Sequence, residues 1–275
     1  MAGIQANPGS GSPIAFATIG ALEYQITDEF LSAVGRGDVS GVSAVQKFGI
    51  NFDIDTGTTP EDIWEGGGVY TGQPVSDSET VDIFSSDAAD AAAGDGARTV
   101  TIQGLDENWR AASETLTMNG TTPVTSSGTW RRVNRAFVMS AGTDGANAGT
   151  ITVRHTTTTT NVFVAMAVGY NQTNIAAYTV PDGTTGYLIG AIVTTSRASG
   201  AAGSATCTLR VRDTATADSV FRARETAAIT ESQMFQRQFI PIELPARSDI
   251  KWRCENVSDS SNIISGQFVL MLIDD

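Results

Sequence analysis

From residue 79 to its end the chain keeps returning to one pattern, short alternating apolar–polar runs cut by turn residues, and that pattern leaves little room for anything but β-structure. Successive strand side chains point to opposite faces, so an alternating run offers one face to a core and one to water. Val100 and Ile102 set against Thr99, Thr101 and Gln103 read this way. The breaks are turn formers: Asp95-Gly96, Asn119-Gly120, Asp144-Gly145 and Pro181-Asp182-Gly183. In the last of these proline presets φ and glycine takes a positive φ without steric cost. Charged residues make up only 17% of the chain, so the water-facing strand positions fall largely to threonine, serine, asparagine and glutamine. Threonine, being β-branched, suits a pleated, half-exposed surface.

The runs form two series. Strands are expected over 79–84, 97–104, 111–119, 129–139 and 149–154, and then over 161–168, 174–180, 185–195, 204–213, 218–225, 233–240, 248–257 and 263–273. Between the series His155 heads a tract of five threonines, 156–160, which reads either as an exposed strand or as a hinge between modules. Eight strands over about 110 residues is the count of a jelly-roll sandwich. Ahead of them, residues 1–20 are glycine, serine, proline and alanine with few anchors, the makings of an extended arm. Thr27-Asp28-Glu29 before Phe30, Leu31 and Val34 predicts a short helix over about 27–34, stopped by Gly35 and Gly37. Residues 45–75 carry Phe48, Phe52, Ile54, Ile63, Trp64 and Tyr70 together with Gly66-Gly67-Gly68, and read as a long loop that packs on something. The expected fold is all-β. An N-terminal extended arm (1–44) precedes two antiparallel β-sandwich modules of jelly-roll type, 45–157 with the ordered loop at its start and 158–275.

The net charge of −13 is unevenly placed. Residues 1–96 hold fifteen acids against two bases, Arg36 and Lys47, while 97–275 hold fifteen of each, so the whole imbalance lies in the first third. An acidic surface repels phosphate backbones, which argues against nucleic acid as a partner. The acidic third serves either solubility or docking onto a basic surface. Two cysteines, Cys207 and Cys254, are too few for a disulfide framework and are expected as buried free thiols, consistent with a reducing compartment. The opening residues lack the basic and apolar regions of a secretory signal, and no apolar run approaches the roughly 18 residues that span a bilayer. No membrane is expected as a partner.

The chain offers little chemistry of its own. His155 is the single histidine, and acid–base or nucleophilic sites pair a histidine with a group that orients it. Asp55-Thr56-Gly57 matches the tripeptide of aspartic proteases, which need two carboxylates sharing a proton, and occurs in one copy; a turn is the plainer reading. Asp53, Asp55, Glu61 and Asp62, or Asp87, Asp90 and Asp95, are oxygen-rich enough for calcium but lack EF-hand spacing, and a solvated acidic loop is expected at each. Arg36-Gly37-Asp38 is an integrin-type tripeptide, too short to weigh. Arg131, Arg132 and Arg135 form the one local basic cluster; on a strand Arg131 and Arg135 would share a face with Val133, with Arg132 on the other, packing over an interface or pairing with acids. Trp64, Trp109, Trp130 and Trp252 are candidates for sugar stacking, though core or interface anchors are the expected role. No catalytic residue, metal ligand or cofactor is assigned.

Several stretches resemble a family of structural proteins from tailed-bacteriophage particles, common in environmental and marine phages. They include Lys47-Phe48-Gly49 through Asp53-Ile54-Asp55-Thr56, Glu61-Asp62-Ile63-Trp64-Glu65-Gly66-Gly67-Gly68-Val69-Tyr70, the stretch from Gly96-Ala97-Arg98 to Gly104-Leu105-Asp106, Arg132-Val133-Asn134-Arg135-Ala136, the stretch from Tyr178-Thr179-Val180-Pro181-Asp182-Gly183 to Leu188, and Pro245-Ala246-Arg247-Ser248-Asp249-Ile250. The resemblance spans about residues 45–275 and rests on turns and strand starts, so it transfers no active-site residue. It implies a virion component assembled in the host cytoplasm, present in many copies. Such a component would be a head decoration or cement protein, or else a tail, fibre or spike piece that binds a host surface or glycan. Its partners would be other virion proteins and further copies of itself, a trimer among the options.

Overall fold

A computed structural model describes residues 16–19, 22–25, 28–75, 77–197, 203–216, 219–230 and 234–275. Strands β1 (Phe16–Ile19) and β2 (Leu22–Gln25) pair as an antiparallel hairpin within the expected arm, whose residues 1–15 lie outside the described set. Helix α1 (Asp28–Arg36) follows. Its expected cap, Thr27, is also outside the described residues. Of the two expected stops, Gly35 lies within the helix and Gly37 alone ends it. Gly37 sits at φ 76°, its N–H bonds to the Val34 carbonyl, and the Asp38 N–H reaches back to Ala33, the paired bonds of a Schellman motif.

Next come β3 (Val42–Ile54) and the two-residue β4 (Glu61–Asp62). Seven strands succeed them: β5 (Val81–Ser85), β6 (Ala97–Asp106), β7 (Ala111–Thr117), β8 (Val124–Thr125), β9 (Trp130–Ala141), β10 (Ile151–His155) and β11 (Val162–Met166). The last seven are β12 (Ala177–Thr179), β13 (Thr184–Arg197), β14 (Ser204–Asp213), β15 (Arg222–Thr230), β16 (Met234–Leu244), β17 (Ser248–Val257) and β18 (Asn262–Asp274). The all-β expectation holds, and the sheets are antiparallel. Among the described residues no helix is long and apolar enough to cross a membrane.

Beyond the hairpin the described residues form four sheets, a four-bladed, propeller-like count: β16-β13-β18-β3, β12-β17-β14-β15 with β4 also on β17, β11-β10-β5-β8, and β7-β6-β9. Side chains sort these blades into facing pairs. Leu188, Phe268 and Leu270 of the first sheet share one core with Leu209, Ile250 and Trp252 of the second. Val81, Ile83, Ile151 and Phe163 share another with Val100, Ile102 and Val133. A third, smaller cluster seats Phe30 and Val34 of α1 against Met271 and Ile273 of β18.

The strand pairing divides the chain differently from the expected 45–157 and 158–275. β3 pairs with β18 along its whole length, and β4 pairs with β17, so both belong with the C-terminal strands. β4 and β12 lie end to end on the same side of β17: Asp62 faces Arg253, and Ala177 faces Lys251. Between them Ile63 donates to the Trp252 carbonyl, Trp252 donates to Ala176, and Ala176 donates to Ile63. Trp64 and Ile175 form an antiparallel bridge just outside. The chain thus leaves a strand after Ile63 and rejoins it at Ala176, and the intervening β5–β11 unit hangs from this two-stranded neck.

Two further expectations need correcting. Residues 42–54 are a regular strand, not a loop. Its core-facing positions hold Lys47, Gly49 and Asn51, and its exposed ones Phe48 and Phe52, which inverts the usual signature. The threonine tract is no hinge between modules. It closes the β10–β11 connection inside the inserted unit, with Glu79 accepting bonds from the Thr157 and Thr158 amides and the Thr158 hydroxyl.

Candidate functional site

The residues that the sequence singles out are brought to separate places and given structural work. His155 is wholly buried. Its Nε2 lies 3.0 Å from the Trp130 carbonyl and its Nδ1 3.2 Å from the Asn161 amide, with the Phe163 ring edge-on at 4.7 Å. Asp55-Thr56-Gly57 is an exposed turn closed by Thr58, and the Asp55 carboxylate accepts the Ser261 N–H from the β17–β18 turn. Asp90 is buried and accepts four hydrogen bonds, from Ala97 N, Ala148 N, Gly149 N and Ser85 Oγ, which pins three loops together. Asp87 and Asp95 cap Ala89 and Thr143. Glu61 accepts from Asn51 and Gly68, and Asp62 from Tyr70 N and Lys251. Among the described residues no group of three or more His, Cys, Asp or Glu is disposed to hold a metal ion. Arg36 and Asp38 pair with each other on the surface beside the Gly37 helix stop. Trp64, Trp109, Trp130 and Trp252 are all buried, so none presents a face for stacking sugars. Cys207 and Cys254 are buried free thiols directly opposite each other on β14 and β17. The hydrogen bond to Cys254, then burial, raises the Cys207 pKa.

The basic cluster is where the two units meet. Register shifts of β9 against β6, near Gly104 and Asp106, interrupt the alternation, and both Arg132 and Val133 become buried instead of facing opposite ways. Arg132 crosses from the inserted unit to Asp249 on β17, with Nε 3.0 Å from Oδ1 and Nη2 3.1 Å from Oδ2, the bidentate geometry that guanidinium favours. Thr179 donates to the same carboxylate at 2.6 Å, and Arg212 of β14 binds its other oxygen. The Trp109 ring lies 4.9 Å from the Arg132 guanidinium, and the Phe221 ring 4.5 Å from that of Arg212. One layer along β17, Lys251 pairs with Asp62 at 2.7 Å. Burial lowers the Lys251 pKa, and Asp62 partly restores it. Arg132 and Arg212 share the Asp249 carboxylate, Lys251 has Asp62, and both carboxylates are buried. Sequence reasoning foresaw acids for the arginine cluster but missed Asp249, Arg212 and Lys251. The available signal was three charges, Asp249, Lys251 and Arg253, at alternate positions of one apolar strand.

A cleft of about 700 Å³ lies between the two units. Residues Ala44–Phe48 of β3 form one wall, and Gln103–Leu105 of β6 with Ala111–Ser113 of β7 the other. Lys47, Asn134, Arg135 and Tyr178 also line it. Lys47 is 7% exposed, and its Nζ donates to the Asn134 carbonyl at 2.5 Å. Burial, helped by the nearby charge of Arg135, holds its pKa down at about 7. Arg135 is exposed, bonded to Gln172 and stacked over Phe137. Neither cation has a carboxylate within salt-bridge distance among the described residues.

That depressed value has a thermodynamic consequence. An ordinary lysine, with a pKa of 10.5, stays protonated in the unfolded chain when Lys47 in the fold has already released its proton at about 7. Between those values the unfolded state binds more protons, so stability rises with pH; below them the full cost of the buried charge is present. Lys47→Met is expected to flatten the rise in urea midpoint between pH about 7 and 10. An unchanged slope in the variant would show that Lys47 titrates as an ordinary lysine.

No family model and no curated protein matches the sequence. Among solved structures, one described as infectious bursal disease virus Gt strain aligns over 86% of this chain and 73% of its own, at 10% identity and a TM-score of 0.22. A likeness at that level carries no argument about fold or activity.

Proposed function

We propose that the protein is a non-enzymatic structural component of a bacteriophage particle, a capsid decoration or cement protein, assembled in many copies and as a homo-oligomer. The observation that carries this reading is the wrap of the C-terminal unit. Taking β4 and β12 as one interrupted strand, eight strands cross between two sheets at every connection except the β14–β15 hairpin, and the sheets are ordered β3-β18-β13-β16 and β12-β17-β14-β15. This is the order a jelly roll produces, an architecture used by capsid proteins and by lectins. The engaged acids, the buried histidine and the ion-paired junction support a building block whose polar groups serve rigidity. The acidic first third is the proposed docking surface toward a basic neighbour.

A second reading, a tail, fibre or spike module that binds a host glycan, draws on the lectin use of the same wrap. Among the exposed aromatic side chains, Phe52 and Tyr170 stand together, with ring centroids 5.8 Å apart.

Quantitative mass spectrometry of purified particles separates these readings. Copies in proportion to the major capsid protein support the head location. A handful per particle favours the tail, and absence from purified particles overturns both.

A further inference from the structure

The open edge of β3 and the cleft beside it coincide. β3 ends its sheet, with β18 on one side only. Val42 and Ile50 turn their N–H groups away from β18, to the carbonyls of Val39 and Asn174. Strand amides alternate in direction, so the N–H and C=O groups of Ala44, Gln46 and Phe48 face that same open side. No partner for these three amides appears among the described residues. These three residues are exposed and line the cleft that β6 and β7 close from across. β7 is likewise the last strand of its sheet.

Charge selects what fits there. In a chain of net charge −13, the cleft is lined by Lys47 and Arg135 and by no carboxylate. Lys47 is nearly buried with only a carbonyl as partner among the described residues, which leaves its charged form poorly compensated. An inward-pointing lysine at a sheet edge also deters indiscriminate pairing. A strand that brings a carboxylate to it lifts that deterrent, and one without cannot.

We propose that this cleft is a docking groove for an extended acidic peptide segment of a partner protein, which adds as a strand to the open edge of β3 and sets carboxylates against Lys47 and Arg135. Main-chain hydrogen bonds supply affinity in such strand addition, and side-chain sites supply selectivity. The edge Ala44–Phe48 accommodates a paired stretch of about 17 Å. The assignment is independent of the particle reading, since it concerns the purified chain and a peptide.

The probe is a fluorescein-labelled peptide of alternating glutamate and valine, about eight residues long so that it overhangs the edge. Fluorescence anisotropy is expected to show saturable binding, weakened by about tenfold or more in Arg135→Gln and in Lys47→Met. Arg135 is exposed, so its replacement keeps the fold, and thermal midpoints check Lys47→Met. N-methylating the probe at alternate nitrogens, one set and then the other, is expected to weaken binding comparably for one of the sets, because a methyl removes the ladder donors. Amide exchange at Ala44, Gln46 and Phe48 should slow in the complex. The proposal is overturned by absence of saturable binding up to about 1 mM peptide, or by equal binding of the lysine–valine counterpart. Indifference to both N-methylated sets also overturns it, since the cleft would then hold an anion and not a strand.

Discussion

Asp249→Ala is expected to lower stability by about 3–5 kcal/mol, because removing one member of a buried ion network strands the others. Asp249 is fully buried, and two guanidinium groups, from Arg132 and Arg212, converge on it from different units. In the variant both stay inside the protein with their charge and without a counter-ion. For a chain of this length the melting midpoint should fall by on the order of 10 °C. The Arg247–Asp182 pair provides the comparison. Both partners are more than a third exposed, so Asp182→Asn should leave the midpoint where it is. If Asp249→Ala behaves no differently from Asp182→Asn in the same melt, the junction is not what holds the inserted unit to its carrier.

The neck predicts a second large effect. A Cβ on Gly49 would lie 2.1 Å from Ala176 N and 2.7 Å from both Ile175 C and Ile63 O. All three are backbone atoms, so no side chain can swing aside. Gly49→Ala must push β3 away from the place where the chain leaves and rejoins its strand. A cost of about 3 kcal/mol or more is expected, at the upper end for overpacking. Gly35 in α1 gives the opposite sign. Nothing lies within 4 Å of its Cβ position. Alanine there should stabilise by about 0.5–1 kcal/mol through helix propensity. Urea midpoints of the two variants test the pair, and a neutral Gly49→Ala would mean that β3 does not press on the neck.

Legibility followed the physics of each element. Strands whose inward residues meet a hydrocarbon core announced themselves, β6 through Val100 and Ile102 and β14 with matching bounds at 204–213. β3 did not, because its inward face meets polar groups: Lys47 reaches a carbonyl, Gly49 the neck, and Asn51 the Glu61 carboxylate. Two-residue strands such as β4 and β8 carry no period at all. The site was legible only in part. That the arginine cluster seeks acids was readable from composition, but its partner lies 117 residues further along the chain. The cleft was not readable, since it is made by strand edges, and an edge exists only once the sheet order is known.

Local chemistry therefore determined the class of this protein. Alternating runs, turn dipeptides and the Gly37 stop act over a few residues, and they specify β-strands and a short helix wherever they occur. The tertiary structure alone decided the connectivity: a unit spliced into the middle of a strand, a carboxylate shared between two units, an open edge beside two cations that have no carboxylate partner among the described residues. Each depends on residues far apart in sequence whose meeting is set by which strands pair, and no local propensity encodes that choice.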